Sequence, residues 1–308
     1  MEYSTKPFTK DSIVDFLMLY KAVYGKSISA EIVLKKFDTT YLIEGHFGYF
    51  AYDNKKPIAF YGVVPTLMKY KNQTEIAAQS VNTMTHPDYT GKGLFTELAK
   101  LTYVKAAKAG ITFIWGFPNQ NSAYGFLNKL GWSSNENMIG FKIKISELGI
   151  QKKIQKFPLI NTIHRFYLKK VFSKYITSQF PNENFHEHHV TVSKTKEYFS
   201  YKAYSDNFVI KIDNCIFWVK IKNSLEIGDI DAPTKTDFHK ALNKLKRICK
   251  KTRISEILFQ VSPDTEYWQW MENEKTEKFD SWPICYKNLA SDFPLENLKF
   301  TLGDIDIF

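Results

Sequence analysis

Apolar residues recur at near-helical spacing in the stretch DSIVDFLMLYKAVYG, at Ile13, Phe16, Leu17, Leu19, Tyr20 and Val23, which predicts a helix stopped by Gly25. AEIVLKKF predicts a second, shorter helix. The pattern then changes period. HFGYFAYD, IAFYGVVP and EIAAQSVNTMT are strand-like runs separated by NKKP and by a polar, lysine-rich turn, and together they predict a strand meander. A helix follows from about Leu94 to Ala109, with Gly110 at its end. ITFIWGF is short and wholly apolar, as a buried strand is. NSAYGFLNKLGW predicts another helix closing at Gly131, and NMIGFKIKI another strand.

Residues from about 147 to 200 differ. QKKIQKFPLINTIHRFYLKKVFSKYI is helical in period, amphipathic and basic. Such a helix can bind a membrane surface or a partner protein, but it more commonly turns its Ile, Phe and Leu face inward as a connector. Beyond it, NFVIKID, CIFWVKIK and SLEIGDIDAP form a second meander, TKTDFHKALNKLKRICKK a helix and RISEILFQV a buried strand. The order strand, strand, strand, helix, strand repeats that of residues 47–117. This predicts an α/β chain in three parts: a domain over 1–146, a helical connector over 147–200, and a related but degenerate domain over 201–308.

Length and composition agree with this. A chain of 308 residues is long enough for about two domains, and 44% hydrophobic content supplies packed cores. No basic and apolar leader opens the sequence, and no apolar run approaches the length of a membrane span. Cys215, Cys249 and Cys285 are widely spaced and odd in number, as expected of free thiols in a reducing cytoplasm. The net charge of +10 comes from scattered lysines with only Arg165, Arg247 and Arg253, which argues for a solvated surface over a nucleic-acid reader. The cluster FHEHH (His186, Glu187, His188, His189) matches neither HExxH nor a zinc-finger pair, so no metal is expected there.

The informative stretch is THPDYTGKGL, where Gly91 and Gly93 stand at a strand-to-helix corner. Glycine costs conformational entropy and packs nothing, so a pair there points to a close approach to the backbone. The first N–H groups of a helix lack intrahelical partners and carry partial positive charge, so phosphate oxygens can lie against such a corner. The Walker string GxxxxGK[ST] is absent, and the Rossmann GxGxxG lacks its third glycine and its parallel βαβ unit.

With Pro87-Asp88-Tyr89-Thr90-Gly91-Lys92-Gly93-Leu94-Phe95 and, downstream, FPNQNSAYGFLNKLGW, residues 1–146 resemble a GCN5-related N-acetyltransferase (GNAT) domain. With its degenerate second half, the whole chain is similar to tandem-GNAT acyltransferases. The resemblance implies a mixed central sheet flanked by helices and acetyl-CoA as cosubstrate. It implies that backbone groups of Thr83, Met84 and Thr85 pair with the pantetheine arm. Backbone N–H groups of Thr90, Gly91, Lys92, Gly93, Leu94 and Phe95 would hold the pyrophosphate, and Asn119 and Asn121 would bond pantetheine or adenosine. The implied reaction is direct attack of an amine on the thioester, with a backbone donor near Met84 holding the acyl oxygen. The expected acceptor is the primary amine of a small molecule or amino sugar; the alternative is a non-catalytic CoA-binding module.

Three positions depart from the family pattern. Thr90 replaces arginine or glutamine, Phe95 replaces glycine or alanine, and Leu127 stands where a tyrosine often protonates the thiolate. Tyr124, on the same helix, is the substitute candidate for this acid, the alternative being that it only packs. Glu44, His46 and Glu75 are the base candidates by position in the chain. A further one comes from the apolar tail FTLGDIDIF: by resemblance to one tandem type, the Phe308 carboxylate serves as the base in a cleft between the halves, unless the tail is simply a last strand of the second sheet.

Overall fold

The structure, a computed structural model, describes residues 2–146, 157–181, 188–272 and 274–308. In chain order its elements begin with β1 (Ser4–Pro7), α1 (Ile13–Tyr24), α2 (Ala30–Phe37), β2 (Phe47–Asp53), β3 (Lys56–Tyr70) and β4 (Gln73–Thr85). Next come α3 (Leu94–Lys108), β5 (Phe113–Gly116), α4 (Gln120–Tyr124), β6 (Ser133–Lys144), α5 (Pro158–Phe172), β7 (Thr191–Val192) and α6 (Lys196–Lys202). The remainder is β8 (Asn207–Ile212), β9 (Cys215–Ile221), β10 (Leu225–Asp231), α7 (Lys235–Lys251), β11 (Glu256–Val261), α8 (Glu266–Glu272) and β12 (Glu277–Asn288).

These form two compact units assembled from separate stretches of chain. The first takes Met1–Glu136, Glu187–Ser193 and Trp282–Leu298; the second takes Asn137–His186, Lys194–Ser281 and Lys299–Phe308. In the sequence the blocks read as consecutive, because hydrophobic period reports each element and not which strand it pairs with. The basic stretch holds α5, whereas residues 147–156 and, within FHEHH, His186 and Glu187 lie outside the described residues.

In the first unit β1, β2, β3 and β4 pair antiparallel in order, and α3 carries the chain back so that β5 lies parallel to β4. The end of β12 closes β5 on its far edge, Cys285 opposite Gly116. One face of this sheet packs Phe47, Ala51, Ala59, Tyr61 and Val63 against Leu94, Leu98, Ala99 and Ala106 of α3. On the other, Phe8, Phe16, Phe37, Phe50 and Phe60 form a cluster of tilted and edge-to-face rings, all almost fully buried. Large aromatic surfaces and favourable ring geometry make such a cluster a strong local core.

In the second unit β8, β9 and β10 form an antiparallel meander, α7 crosses over, and β11 returns parallel to β10. β6 pairs antiparallel with β11, Lys144 opposite Glu256 through Ile139 opposite Val261. The inner face of α7, Phe238, Ala241, Leu242, Leu245 and Cys249, is buried against the strands. All three cysteines are buried free thiols, and burial pushes the Cys215 thiol up to about 11. The tail 300–308 is not a last strand: it makes one bridge, Val261 opposite Thr301, then a 3-10 turn over Leu302–Asp304. Gly303 within FTLGDIDIF lies so close to the Trp218 ring and the Gly228 carbonyl that no side chain has room there.

Candidate functional site

Two irregularities at the end of β4 prepare the glycine corner. The register with β3 runs to Val81 opposite Gly62 and resumes at Met84 opposite Phe60, so Asn82 and Thr83 together face only Tyr61. This is a β-bulge, and Asn82 takes φ +49°, a region that asparagine enters more readily than most residues. On the other edge, β4 pairs with β5 only at Ala78–Ile114 and Gln79–Trp115. From Ser80 to Thr85 β4 has no β5 partner among the described residues, so the two parallel strands part toward their C-terminal ends. A parted pair of parallel strands presents unpaired backbone donors and acceptors to a ligand arm, as an edge strand does.

The chain then makes a 3-10 turn over Pro87–Tyr89 and reaches α3 through Gly91 and Gly93. Tyr89 pins this turn to the β2–β3 hairpin: its hydroxyl donates to Asp53 at 2.7 Å, and the ammonium groups of Lys92 and Lys56 lie 4.6 and 5.3 Å from its ring. The Thr90 hydroxyl donates to the Pro87 carbonyl at 3.1 Å, so this side chain stabilises the turn itself. Gly91 and Gly93 have φ of +74° and +80°, and a Cβ on either would meet nothing within 4 Å. Left-handed backbone explains why glycine is required, and the empty surroundings leave the backbone approachable. Gly93 is the N-cap of α3 and brings no side-chain acceptor; the first intrahelical bond runs from Glu97 N–H to Gly93 O at 3.1 Å. The N–H groups of Leu94, Phe95 and Thr96 therefore project from the helix end, where the dipole favours an anion. These features fit a pyrophosphate at residues 90–95 and an extended arm along 83–85.

Phe95 fits by compensation. Its ring packs edge-to-face on Tyr61 and Phe126, with centroids 5.8 and 5.0 Å apart, and lies where a Cβ on Gly125 would stand, only 2.6 Å away. A large residue on α3 is thus matched by a glycine after α4. The chain from Gly125 to Lys129 is one wide π-type turn, Leu130 N–H donating to Gly125 O, and it ends at Gly131 as expected.

The other residues singled out in the sequence are dispersed. Asn119 caps α4: its Oδ1 accepts from the N–H groups of Asn121 and Ser122 at 3.0 and 3.1 Å, so that oxygen already has partners. Asn121 is exposed. Tyr124 is 64% exposed, with Lys129 Nζ 5.8 Å from its ring, while Leu127 is half-buried against the α3-side core. Glu44 is exposed. His46 lies beside Phe8, its buried Nε2 without a hydrogen-bond partner, and burial and the nearby Lys10 hold its imidazole below the usual histidine range, against the pull of Asp38. Glu75 accepts from the hydroxyls of Thr112 and Ser291, both at 2.6 Å, at the opposite end of β4 from the corner. Ten residues of strand, roughly 33 Å, separate Glu75 from Thr85, so it braces the sheet and does not serve the corner. Phe308 buries its ring inside the second unit, against Trp218 at 4.9 Å.

Sequence reasoning missed the bulge at Asn82, the Tyr89–Asp53 pin, the Phe95–Gly125 match and Tyr24, whose hydroxyl reaches Thr83 O at 3.4 Å. Each joins residues far apart in the chain. Only Gly125 carried a signal, as a glycine inside a helical pattern. Among the described residues no group of three or more His, Cys, Asp or Glu side chains is placed to hold a metal, and no helix is long and apolar enough to cross a membrane.

Residues 4–134 match the acetyltransferase (GNAT) domain family. No curated protein matches the chain. Among solved structures it is similar to a GCN5-related N-acetyltransferase from Kribbella flavida, at 10% identity and a TM-score of 0.60 over 94% of this chain and 71% of that one. A GCN5-related N-acetyltransferase from Anabaena variabilis aligns at 13% identity and a TM-score of 0.58, over 93% and 73% of the two chains. The glucosamine N-acetyltransferase region of a fungal multi-domain GH3 β-N-acetylglucosaminidase aligns at 12% identity and 0.55, over 93% of this chain and 38% of that one. At these identities the likeness is one of fold. The parted β4–β5 pair and the glycine corner agree with these comparisons: the chain has the GNAT fold, and its residues 4–134 match the GNAT acetyltransferase domain family.

Proposed function

We propose that this chain is an acyl-CoA-dependent N-acyltransferase that moves an acetyl group from acetyl-CoA to the primary amine of a small molecule or amino sugar. The observation that carries the proposal is the corner itself: a left-handed Gly-x-Gly turn with open space around it, opening an uncapped helix beside a strand that has lost its parallel partner. When bound, acetyl-CoA supplies an activated thioester. The chain's part is to hold the anionic end on the N–H groups of residues 90–95, to align the arm along Thr83, Met84 and Thr85, and to direct a backbone donor near Met84 at the acyl oxygen.

Proton transfer falls to different side chains. An amine must be neutral to attack, and His46 is kept in its neutral, proton-accepting form by burial. Its Nε2 is buried beside the Phe8 ring, so it takes this role only when local opening admits a water to it. Tyr124 is the acid for the departing thiolate. Glu44 is a weaker choice of base, since it is solvated.

The second reading, a module that binds CoA without turnover, is favoured by Leu127 at the family's tyrosine position and by the exposure of Tyr124. Thiol release from acetyl-CoA, measured against glucosamine, a polyamine and a lysine peptide, separates the two. Amine-dependent release that falls at least tenfold in Tyr124→Phe supports transfer with Tyr124 as the acid. Binding without release for any amine supports the module.

A further inference from the structure

In the second unit, β10 and β11 part just as β4 and β5 do. Their parallel register runs Leu225–Ile257, Glu226–Leu258, Ile227–Phe259 and stops. At the same place the pairing of β10 with β9 steps from Ile227–Val219 to Asp229–Trp218, leaving Gly228 as an extra residue. Here the opening is filled by the chain itself. On the β11 side Thr301 bridges to Val261, Ser262 N–H donates to Phe300 O at 2.9 Å, and Phe300 N–H donates to Ser262 Oγ at 2.9 Å. On the β10 side a Cβ on Gly303 would lie 2.9 Å from the Gly228 carbonyl and 2.5 Å from the Trp218 ring, and a Cβ on Gly228 would lie 2.3 Å from the Phe308 ring.

A buried ion cluster fastens this segment. Lys194 Nζ lies 2.6 Å from Asp229 on β10 and 3.2 Å from Asp304 in the segment, with all three side chains at most 5% exposed. Asp304 Oδ2 in turn accepts from Thr301 N–H at 2.7 Å, and Asp229 Oδ1 from Ile230 N–H at 2.9 Å. Lys202 donates to Ile305 O at 2.7 Å and Lys220 to Ile307 O at 2.8 Å. A buried charge left without its partner is strongly unfavourable, so the cluster ties the segment's position to that of β10.

We propose that residues 299–308 are a built-in occupant of a peptide-binding wedge in the second unit, taking the place that an acyl-CoA arm takes in the first. The wedge accepts a segment with unpaired backbone at its start, a glycine at the point of closest approach, a carboxylate for Lys194 and an aromatic ring over Gly228. The helix that follows β10 agrees, because it offers no anion site. Thr234 caps α7 with its own hydroxyl, which accepts from Asp237 N–H at 3.1 Å, in place of a bare Gly-x-Gly turn. The chain therefore binds one acyl-CoA and not two. This count rests on the reading of the first unit given above.

The test uses the full chain with CoA as probe. Hydrogen exchange of the unliganded protein should show the amides of Thr301, Ser262 and Phe308 slowed at least a hundredfold relative to unstructured peptide. Asp304→Ala should speed exchange across 299–308 at least tenfold. The milder Phe308→Leu should do so in part, which covers the case in which Asp304→Ala does not fold. Calorimetric titration with CoA should give one equivalent per chain. Exchange of the wild-type segment at coil rates, or two equivalents of CoA, overturns the proposal. No CoA binding together with a protected segment overturns the reading of the first unit and upholds the filled wedge.

Discussion

The chain builds the same crossover twice and ends it in two ways. After β4, the bulge at Asn82 and the Gly91–Gly93 turn leave a strand edge and a helix end without internal partners. After β10, the bulge at Gly228 leads to a helix capped by Thr234, and residues 300–304 sit against both parted strands. In physical terms the first crossover leaves its backbone groups open, and the second satisfies them within the chain. Backbone groups need partners, so a parted pair of strands left open is satisfied by water or a ligand, and one that is buried must be filled by the chain. The contrast teaches that the fold alone does not specify a ligand site; the capping residue and the filling segment do.

The largest expected effect lies in the filled crossover. Lys194→Met leaves Asp229 and Asp304 buried without their cation and should lower the unfolding free energy by about 3–5 kcal/mol. Chemical denaturation reads this directly. Asp304→Asn added to Lys194→Met should recover part of the loss, and strict additivity of the two would break the account of the cluster.

Next comes the open crossover. Gly93→Ala and Gly110→Ala place the same methyl on left-handed backbone, φ +80° and +85°, with nothing within 4 Å of either Cβ. Each should cost about 1 kcal/mol of stability through backbone strain. Only Gly93→Ala should also weaken acetyl-CoA binding, by about tenfold, because Gly110 lies at the other end of α3. Equal affinities in the two variants would show that the corner does not hold the phosphates.

A smaller effect tests how Phe95 is accommodated. Gly125→Ala should cost about 1–3 kcal/mol by overpacking against the Phe95 ring. Combined with Phe95→Ala, the added methyl should cost less than it does alone, and thermal unfolding of the cycle measures the difference.

The smallest effect is a slope with pH. Burial holds the Lys220 ammonium down to about 8, below its ordinary value of 10.5. Between those values the unfolded chain binds more protons at this lysine than the folded one, so its contribution makes stability rise with pH across about 8–10.5. Below pH 8 the full penalty of the buried charge is present. Lys220→Met should flatten that rise relative to wild type, and an unchanged slope would remove Lys220 as its source.

Much of the scaffold was legible along the chain. The change from helical period to alternation located α1, α2 and the first meander, and Gly25, Gly110 and Gly131, all at positive φ, marked the stops. The corner was legible because its chemistry is local: glycines, a helix start and a strand end lie within ten residues. Glu75 lies at the far end of β4 from the corner, because nearness to a strand in sequence says nothing of which end of that strand lies at the corner. The tail's alternation pointed to a strand, yet Gly303 and the Lys194 pair with Asp304 turn it into a 3-10 turn. Lys194 and Asp304 stand more than a hundred residues apart, and no periodicity reports such a contact. The assembly of each unit from separate stretches is hidden for the same reason.

The central claim is that acetyl-CoA binds at the first crossover, on residues 83–85 and 90–96. Hydrogen exchange with and without saturating acetyl-CoA tests it most directly. The account predicts slowed exchange at Met84, Thr85 and the amides of Gly91 to Thr96, with the β10–α7 connection, residues 232–235, unchanged. Unchanged exchange at Gly91–Thr96 under saturating ligand, or protection centred on residues 232–235, would contradict it.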